Sequence, residues 1–290
     1  MKLDTDLFSA ADLFGNAYSE PEPAATTAVA TGGRSIVFDA ETGPEPEDRL
    51  REFFEVDLSK VKDRELIDRE FDPASVKLGN LKDQAKIDAK IAAKREEFEA
   101  AKAAAVTAMA SAETDQWAAF VERAPLSPIT GRVLAIGLWD STNELEPTLV
   151  WIDGKQGGEM AVLNAFWMAF RDCVATDTRL VGHNIFGFDL PFLVRRSWLL
   201  GVRVPDEVIV AGRPHRLFVD TMRVWACSNY QDRISLDRLA AFLGSTRKNG
   251  DGAAFHRLFF GTEEERQQAL DYLKNDLRMT SEVAERMGVL

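Results

Sequence analysis

The stretch of sequence that decides the fold is residues 35–43, which read SIVFDAETG. Its apolar run is typical of a buried strand, and it leads directly into Asp39 and Glu41. Because successive side chains of a strand point to opposite faces, these two carboxylates share one face. The stretch therefore predicts a first strand over residues 35–38, with two acidic groups delivered side by side at its end.

Two further motifs carry acidic residues. Residues 182–189 read GHNIFGFD and end in Asp189, and residues 272–276 read YLKND and end in Asp276. Carboxylate oxygens are the hard ligands that Mg²⁺ and Mn²⁺ prefer. A pair of such ions roughly 3.5–4 Å apart is the usual arrangement for displacement at a phosphodiester. The candidate ligands of two divalent ions are Asp39, Glu41, Asp189 and Asp276.

The order of these motifs is Asp-x-Glu, then Asn-x-x-x-Phe-Asp, then Tyr-x-x-x-Asp. This order resembles the DEDD superfamily of 3′-5′ exonucleases, in the subclass with tyrosine in the third motif. The resemblance covers residues 34–40 and the chain from 130 onward, and the similarity is greatest to stand-alone proofreading exonucleases of the DNA-polymerase-B type. It implies hydrolysis of phosphodiester bonds at 3′ ends of single-stranded DNA, with release of nucleoside monophosphates.

The resemblance also suggests roles for the acidic residues. We expect Asp39 to bridge both ions, Glu41 and Asp276 to complete one, and Asp189 to serve the second. Tyr272 lies one helical turn before Asp276, so the two side chains share a face. By resemblance, its hydroxyl orients the attacking water. A free phenol titrates near pH 10, so Tyr272 is expected to act as a hydrogen-bond partner rather than as a bulk base.

Contacts to the substrate are expected from five residues. By resemblance, Asn184 helps to hold the terminal nucleotide and Phe188 flanks it, although core packing is an equal alternative for Phe188. Thr42 and Gly43 follow the first motif, where a close backbone approach to the terminal sugar requires a small residue. Lys248, in a loop with glycines nearby, is a candidate phosphate contact.

Two other polar residues invite a catalytic assignment that we do not favour. His183 precedes the asparagine of the second motif and does not occupy the position of the family's catalytic histidine. Asp220 follows an apolar pair, which is typical of a strand end. We expect Asp220 to cap the next helix or to order the fold rather than to bind metal.

Composition bounds the class of protein. The 290 residues carry a formal net charge of −12, which argues against tight, non-specific binding of duplex nucleic acid. Residues 201–250 nevertheless hold eight basic against five acidic residues. Two cysteines are too few for a disulfide framework, no run approaches the ~18 apolar residues of a membrane span, and no secretory signal is recognisable. A cytoplasmic protein without membrane attachment is expected.

The predicted fold class is α/β: a ribonuclease-H-like mixed sheet flanked by helices, with a helical insertion after the first strand. The predicted domains are a disordered tail over 1–33 and an exonuclease domain over 34–290, interrupted by the insertion 45–129. Further strands are predicted at 132–139, 148–152, 180–183 and 217–220. Helices are predicted at 83–110, 115–121, 159–173, 190–200, 235–243, 253–259, 263–274 and 276–287.

Two alternatives to a DNA exonuclease stay open. One is a 3′-5′ exoribonuclease, which tolerates the 2′-hydroxyl near Thr42 and Phe188. The other is a replication or repair adaptor that uses the fold as a scaffold. The triplet Asp-Leu-Phe occurs at residues 6–8 and again at 12–14. The second copy loosely resembles the sliding-clamp-binding peptide of bacteria, although its leading glutamine is missing. A sliding clamp is therefore a candidate partner of the tail.

Overall fold

The computed structural model of the protein describes residues 34–140, 145–152, 158–210, 212–229, 231–248 and 252–290. The predicted tail 1–33, with its two Asp-Leu-Phe copies, lies outside these residues. The strands are β1 (Ser35–Pro44), β2 (Gly131–Trp139), β3 (Thr148–Trp151), β4 (Arg179–Gly182), β5 (Ile209–Val210), β6 (Arg213–Pro214) and β7 (Phe218–Asp220).

The helices alternate with these strands in the C-terminal two thirds of the chain. They are α1 (Glu47–Arg51), α2 (Gln84–Arg123), α3 (Gly158–Ala175), α4 (Asp189–Leu199), α5 (Thr221–Ala226), α6 (Leu236–Leu243), α7 (Phe255–Phe259) and α8 (Glu263–Arg286). Short 3₁₀ turns lie at Leu58–Lys60, Arg64–Leu66, Pro73–Ser75, Ala124–Leu126 and Gly252–Ala254. Among the described helices, none combines the length and apolarity needed to cross a bilayer.

Five strands form one mixed sheet in the order β3-β2-β1-β4-β7. The three strands β1, β2 and β3 pair antiparallel, whereas β4 pairs parallel to both β1 and β7. The parallel pairs need crossover connections, which α3 and α4 provide. The predicted α/β class, with a mixed sheet flanked by helices and a long helix after the first strand, is confirmed.

The central strand β1 is buried on both faces. Phe38 packs against α3 and α4, in contact with Phe166 at a ring-centroid distance of 5.3 Å. Its neighbour Val37 points to the other face and packs against α7 and α8, where Leu273 and Leu277 lie. Both side chains are fully buried. The face of each residue on β1 therefore determines which helix layer it meets.

The predicted end of the first strand was wrong. β1 continues past Phe38 to Pro44, because β2 pairs with it as far as Gly131 opposite Pro44. Its parallel partner β4 pairs only with residues 35–37. The acidic residues therefore lie within the strand, at the point where its parallel neighbour has ended.

The insertion contains one long helix rather than the two predicted helices. α2 runs for 40 residues through segment 111–114, which has no glycine or proline to interrupt it. Ile87, Ile91 and Phe98 are half-buried along one side, as their spacing predicted. The chain between α1 and α2 packs on this side, and Phe71 contacts Phe98 at 5.8 Å between ring centroids.

The last two predicted helices are also continuous. α8 spans Glu263–Arg286 and begins with a capping box formed by Thr262 and Glu265. The predicted break at residue 275 does not occur, since Leu273 and Leu277 continue one buried stripe across it. The third motif thus lies in the middle of a long, well-anchored helix.

A buried arginine ties the base of the insertion to the sheet layers. Arg196 of α4 is 1% exposed and donates to Glu45, which precedes α1, at 2.5 Å. It also donates to both carboxylate oxygens of Glu159 at 2.8 and 2.6 Å, and to the carbonyl of Pro128 at 3.1 Å. Both ends of the insertion are therefore held at α4.

Candidate metal centre and cleft

The strand β1 places Asp39 and Glu41 at alternate positions after Val37, so all three side chains project towards α8. Because β4 ends opposite Val37, the side of β1 is open from Asp39 onward. The carboxyl ends of parallel strands are where open α/β sheets most often form ligand sites. The two carboxylates are thus set at the mouth of a cleft by the sheet itself.

The helix α8 supplies the third carboxylate. Asp276 is 5% exposed and lies one turn after Tyr272, which is 7% exposed. One oxygen each from Asp39, Glu41 and Asp276 lie within 4.8 Å of one another. The structure therefore brings three of the four predicted ligands together in one group.

Asp189 approaches β1 from a different helix. It is the first residue of α4, is 4% exposed, and accepts a hydrogen bond from the main-chain N–H of Ala40 at 3.2 Å. Ala40 stands between Asp39 and Glu41 in the strand. This hydrogen bond therefore holds Asp189, the fourth predicted ligand, beside Asp39, Glu41 and Asp276.

The carboxylates disturb one another's protonation. Burial, together with the charges of Asp189 and Asp276, raises the pKa of Asp39 well above its usual range. Burial and the charge of Asp39 likewise raise the pKa of Glu41. Burial raises the pKa of Asp189 to about 7 and also raises that of Asp276. Because these four acidic groups resist ionisation together, a bound cation would favour their charged forms.

The donor set fits divalent ions. Its ligands are all carboxylate oxygens, as Mg²⁺ and Mn²⁺ prefer. Asp276 Oδ1 is buried and makes no hydrogen bond. A buried acceptor without a partner is costly, so this oxygen is left for a ligand to satisfy. Asp39, Glu41, Asp276 and Asp189 could therefore hold the ions.

One cation of the chain already faces the group. The Nζ of Lys248 lies 3.5 Å from Asp276 Oδ2 and 5.0 Å from the centre of the Tyr272 ring. Its loop is fixed by Asp237, whose carboxylate receives two hydrogen bonds from Arg247 at 2.8 Å and one from the Lys248 main chain at 3.1 Å. The structure thus brings Lys248 to the cleft.

The phenol of Tyr272 stays protonated. Burial raises the pKa of Tyr272, and so do the nearby charges of Asp276 and Glu41 and the interaction of its hydroxyl with Asp276. Its ring packs against Phe255 at 6.3 Å between centroids. A phenol of this kind donates a hydrogen bond and does not act as a base at neutral pH.

The loop after β4 is held by hydrogen bonds to another buried carboxylate, that of Asp220. Asp220 accepts from the main-chain N–H of Asn184 at 2.8 Å, from that of Phe186 at 3.1 Å, and from that of Met222 at 2.9 Å. It therefore caps α5 and orders the loop, as predicted. Asn184 has a left-handed backbone, with φ of 60°, and a Cβ on Gly187 would lie 2.3 Å from its side-chain oxygen. Asn184 thus sits in a fixed position on the cleft wall.

The remaining substrate candidates divide into two groups. Phe188 and Thr42 line the cleft. Phe188 also packs on Phe192 at 5.4 Å, and Thr42 donates its hydroxyl to the carbonyl of Pro125 at 2.8 Å. Gly43 is buried, and a Cβ there would lie 2.5 Å from Leu134 Cδ1. A side chain at this position would therefore meet Leu134, and the approach of Gly43 to a sugar stays a prediction.

His183 has a structural role. Its Nε2 lies 2.9 Å from the carbonyl of Ile234, and its Nδ1 lies 2.9 Å from the hydroxyl of Thr221. Burial lowers the pKa of His183, so the ring is neutral at pH 7. Nε2–H then donates to Ile234, and Nδ1 accepts from Thr221. Both nitrogens are engaged, as expected for a residue outside the chemistry.

The cleft has a volume of about 760 Å³ and includes residues that the sequence did not suggest. Glu122, Arg123 and Leu126, from the end of α2 and the turn after it, form one wall, and His256 forms part of another. Leu126 is 68% exposed. These residues are distant in sequence from the motifs, and only the fold brings them there.

A family model described as the RNase_H superfamily matches residues 121–288, in agreement with this architecture. Among solved structures, a family B DNA polymerase from the hyperthermophilic archaeon Pyrobaculum calidifontis is similar, with a TM-score of 0.46 and 22% identity. The similar region covers 57% of this chain and 23% of that chain, so the protein spans less than a quarter of the polymerase. A search of curated proteins gave no match.

Proposed function

Because the chain belongs to the RNase_H superfamily, we propose that it is a metal-dependent 3′-5′ exonuclease that acts on single-stranded DNA and releases nucleoside monophosphates. The observation that carries this proposal is the convergence of Asp39, Glu41, Asp189 and Asp276 around one open strand. Tyr272 adds a protonated phenol to the same cleft.

The four carboxylates would hold two divalent ions. Asp39, Glu41 and Asp276 form the tighter group, and Asp189 would serve the second position with Asp39. When bound, such ions lower the pKa of a coordinated water and stabilise the charge on phosphorus and on the leaving 3′ oxygen.

Tyr272 positions the attacking water. The packing of its ring on Phe255 fixes the position of its hydroxyl beside Asp276. The phenol has one proton, so it would donate to the water oxygen in place of Asp276 once a metal ion engaged that carboxylate, and the water would keep a lone pair directed at phosphorus. Positioned groups of this kind contribute typically 10²–10⁴-fold to a rate.

Lys248 is placed to contact the scissile phosphate. In the structure its ammonium compensates the charge of Asp276. If a metal ion neutralised that charge, the ammonium would be available to a non-bridging oxygen of the phosphate, where it would stabilise developing negative charge.

The terminal nucleotide lies in the cleft against two apolar side chains. Leu126, which is exposed, and the aromatic ring of Phe188 both line the cleft. Asn184, whose main chain is held by Asp220, presents its amide group nearby. Stacking does not depend on the identity of the base, because every base has a flat π face. Contacts of this kind suit an exonuclease, which must accept each base in turn.

The proposal is tested by a degradation assay with 5′-labelled single strands, DNA and RNA in parallel, in Mg²⁺, in Mn²⁺ and in chelator. We expect a ladder of shortened DNA products with either metal and intact DNA in chelator. Faster digestion of RNA than of DNA would make the protein an exoribonuclease. Intact strands of both kinds in both metals would overturn the proposal and favour a scaffold role.

A further inference from the structure

Two surface grooves continue the cleft along one side of the molecule. The first, of about 310 Å³, shares Asn184 and Met222 with the cleft and adds Arg223 and Arg233. The second, of about 360 Å³, shares Arg223 with the first and reaches Trp198. The two grooves thus form one path, which we call the arginine track and define by Phe186, Arg195, Trp198, Met222, Arg223 and Arg233.

The charge of the arginine track suits phosphates. Arg195, Arg223 and Arg233 are all exposed. Two acidic residues line the grooves of the track, Asp220 and Asp232. Asp220 is 3% exposed, and its oxygens accept three main-chain hydrogen bonds. Asp232 is therefore the exposed acidic residue of the track. Three cations along a path that begins at the metal centre are a favourable surface for a polyanion.

The alternative way out of the cleft is unfavourable. Arg123 is shared between the cleft and a groove beside the end of α2. The charged residues that line the groove beside α2 are Arg123, Glu52, Glu55 and Asp57. Glu52 pairs with Arg49, and Glu55 and Asp57 remain beside the guanidinium of Arg123. The lining of this groove therefore has no excess of positive charge, in contrast to the arginine track.

The far end of the arginine track carries an aromatic platform. Trp198 is 66% exposed, and Arg223 lies 4.4 Å above the centre of the Phe186 ring. Exposed tryptophan beside arginine is the combination on which unpaired bases stack while their phosphates are neutralised.

We propose that the nucleic-acid segment on the 5′ side of the terminal nucleotide lies on the arginine track, with one base stacked on Trp198. The 5′-to-3′ direction of the nucleic-acid strand in this proposal rests on the proposed exonuclease function. The arrangement places three cations along one path on a protein whose net charge is −12.

The test is a binding measurement that needs no catalysis. Fluorescence anisotropy of labelled DNA is measured in chelator, for a twelve-nucleotide single strand and for a dinucleotide, over a range of salt concentrations. The variants are Trp198→Ala and the pair Arg195→Ala with Arg233→Ala. Matched controls away from the track are Phe242→Ala, at a site 70% exposed, and the pair Arg203→Ala with Arg216→Ala, whose side chains are 80% and 72% exposed.

We expect the wild type to bind the long strand more tightly than the dinucleotide. Trp198→Ala is expected to weaken binding of the long strand about tenfold, the loss typical of one stacked base. For the long strand, the double arginine variant is expected to reduce the slope of log affinity against log salt concentration by about 1.4. Each lost phosphate contact contributes about 0.7 to this slope. The control variants should match the wild type.

Either of two results would overturn the arginine track: equal affinity of the wild type for both lengths, or track variants that behave like their controls. Failure of the exonuclease proposal has a different signature. The length-dependent binding and its loss in the variants would persist, while strands stayed intact in Mg²⁺ and Mn²⁺.

Discussion

The main-chain N–H of Ala40 donates to Asp189 Oδ1 at 3.2 Å, and this bond joins the centre of β1 to the first turn of α4. Ala40 separates Asp39 from Glu41 in sequence, so the bond fixes the fourth carboxylate relative to the first two. Since Asp189 is 4% exposed, its charge is expensive without a cation. The metal-free protein therefore carries a strain that is electrostatic and depends on pH.

The pH dependence of stability follows from Asp189. Burial raises its folded-state pKa to about 7 from an ordinary value of 3.8. Below pH 4 the group is protonated in both the folded and unfolded states. As pH rises from about 4 through 7, the unfolded state loses its proton first, and the folded protein loses stability. The metal-free melting temperature should therefore fall over this window.

Asp189→Asn isolates this contribution, because an amide oxygen can still accept from Ala40. At pH 8 in chelator we expect the variant to be more stable than the wild type by up to about 4 kcal/mol. This bound follows because each unit of pKa shift corresponds to about 1.36 kcal/mol. The difference should vanish near pH 4. Parallel curves for the two proteins across the whole range would show that Asp189 is not charged and buried in the folded state.

Divalent ions should reverse the loss of stability. A ligand that binds only the folded state at 100 times its dissociation constant stabilises by about 2.7 kcal/mol. We expect Mn²⁺ to raise the melting temperature of the wild type at pH 8 and to have little effect on Asp276→Asn. Glu146→Gln is the control, since Glu146 pairs with Arg278 on the surface. An equal Mn²⁺ response from all three proteins would place the ions elsewhere.

Tyr272→Phe should separate chemistry from binding. The ring that packs on Phe255 remains, and only the hydroxyl bonded to Asp276 is removed. We expect kcat to fall about 10²-fold, the lower end for a positioned proton-handling group, with KM little changed. An unchanged kcat with a raised KM would assign Tyr272 to substrate packing instead.

Leu126→Ala tests the wall that the insertion contributes. Leu126 is 68% exposed in the cleft, so its removal should leave the melting temperature unchanged and raise KM about tenfold through the lost contact with the terminal base. Ile129→Ala is a matched control, because Ile129 is 61% exposed and does not line the cleft. Equal KM values for the two variants would exclude Leu126 from substrate contact.

The buried ion group around Arg196 should matter for stability alone. Arg196→Met leaves Glu45 and Glu159 without their guanidinium, and breaking a buried pair in this way costs about 3–5 kcal/mol. Arg195→Met, at the neighbouring exposed position of α4, should cost less than about 0.5 kcal/mol. Urea unfolding measures both, and similar losses would mean that the insertion is not anchored through Arg196.

The sequence predicted what depends on local pattern. The alternation of Val37, Phe38 and Asp39 identified the central strand and the face of its carboxylates. Element ends were predicted less well, since they depend on distant partners: β1 continues because β2 pairs with it to Pro44. The breaks predicted within α2 and α8 had no glycine or proline behind them, and in α8 a buried stripe runs through the point of the predicted break.

The candidate site shows the same division. Spacing within each motif identified the carboxylates and Tyr272, because each pair lies on one strand or one helix. Leu126 and Arg123 reach the cleft only because α2 ends beside Thr42. The buried position of Gly43 was not predicted either: a Cβ there would lie 2.5 Å from Leu134 Cδ1. Such contacts arise from tertiary packing and leave no local signal.

The central claim is that this cleft removes nucleotides one at a time from 3′ ends, through its own carboxylates. It is tested most directly by a time course in Mn²⁺ on one single strand labelled at its 3′-terminal nucleotide and, separately, at its 5′ end. Wild type and Asp39→Asn are compared at equal concentration. We expect immediate release of the 3′ label as a mononucleotide, stepwise shortening of the 5′-labelled strand, and neither reaction with Asp39→Asn. Internal cuts, release of the 5′ label first, or full activity of Asp39→Asn would contradict it.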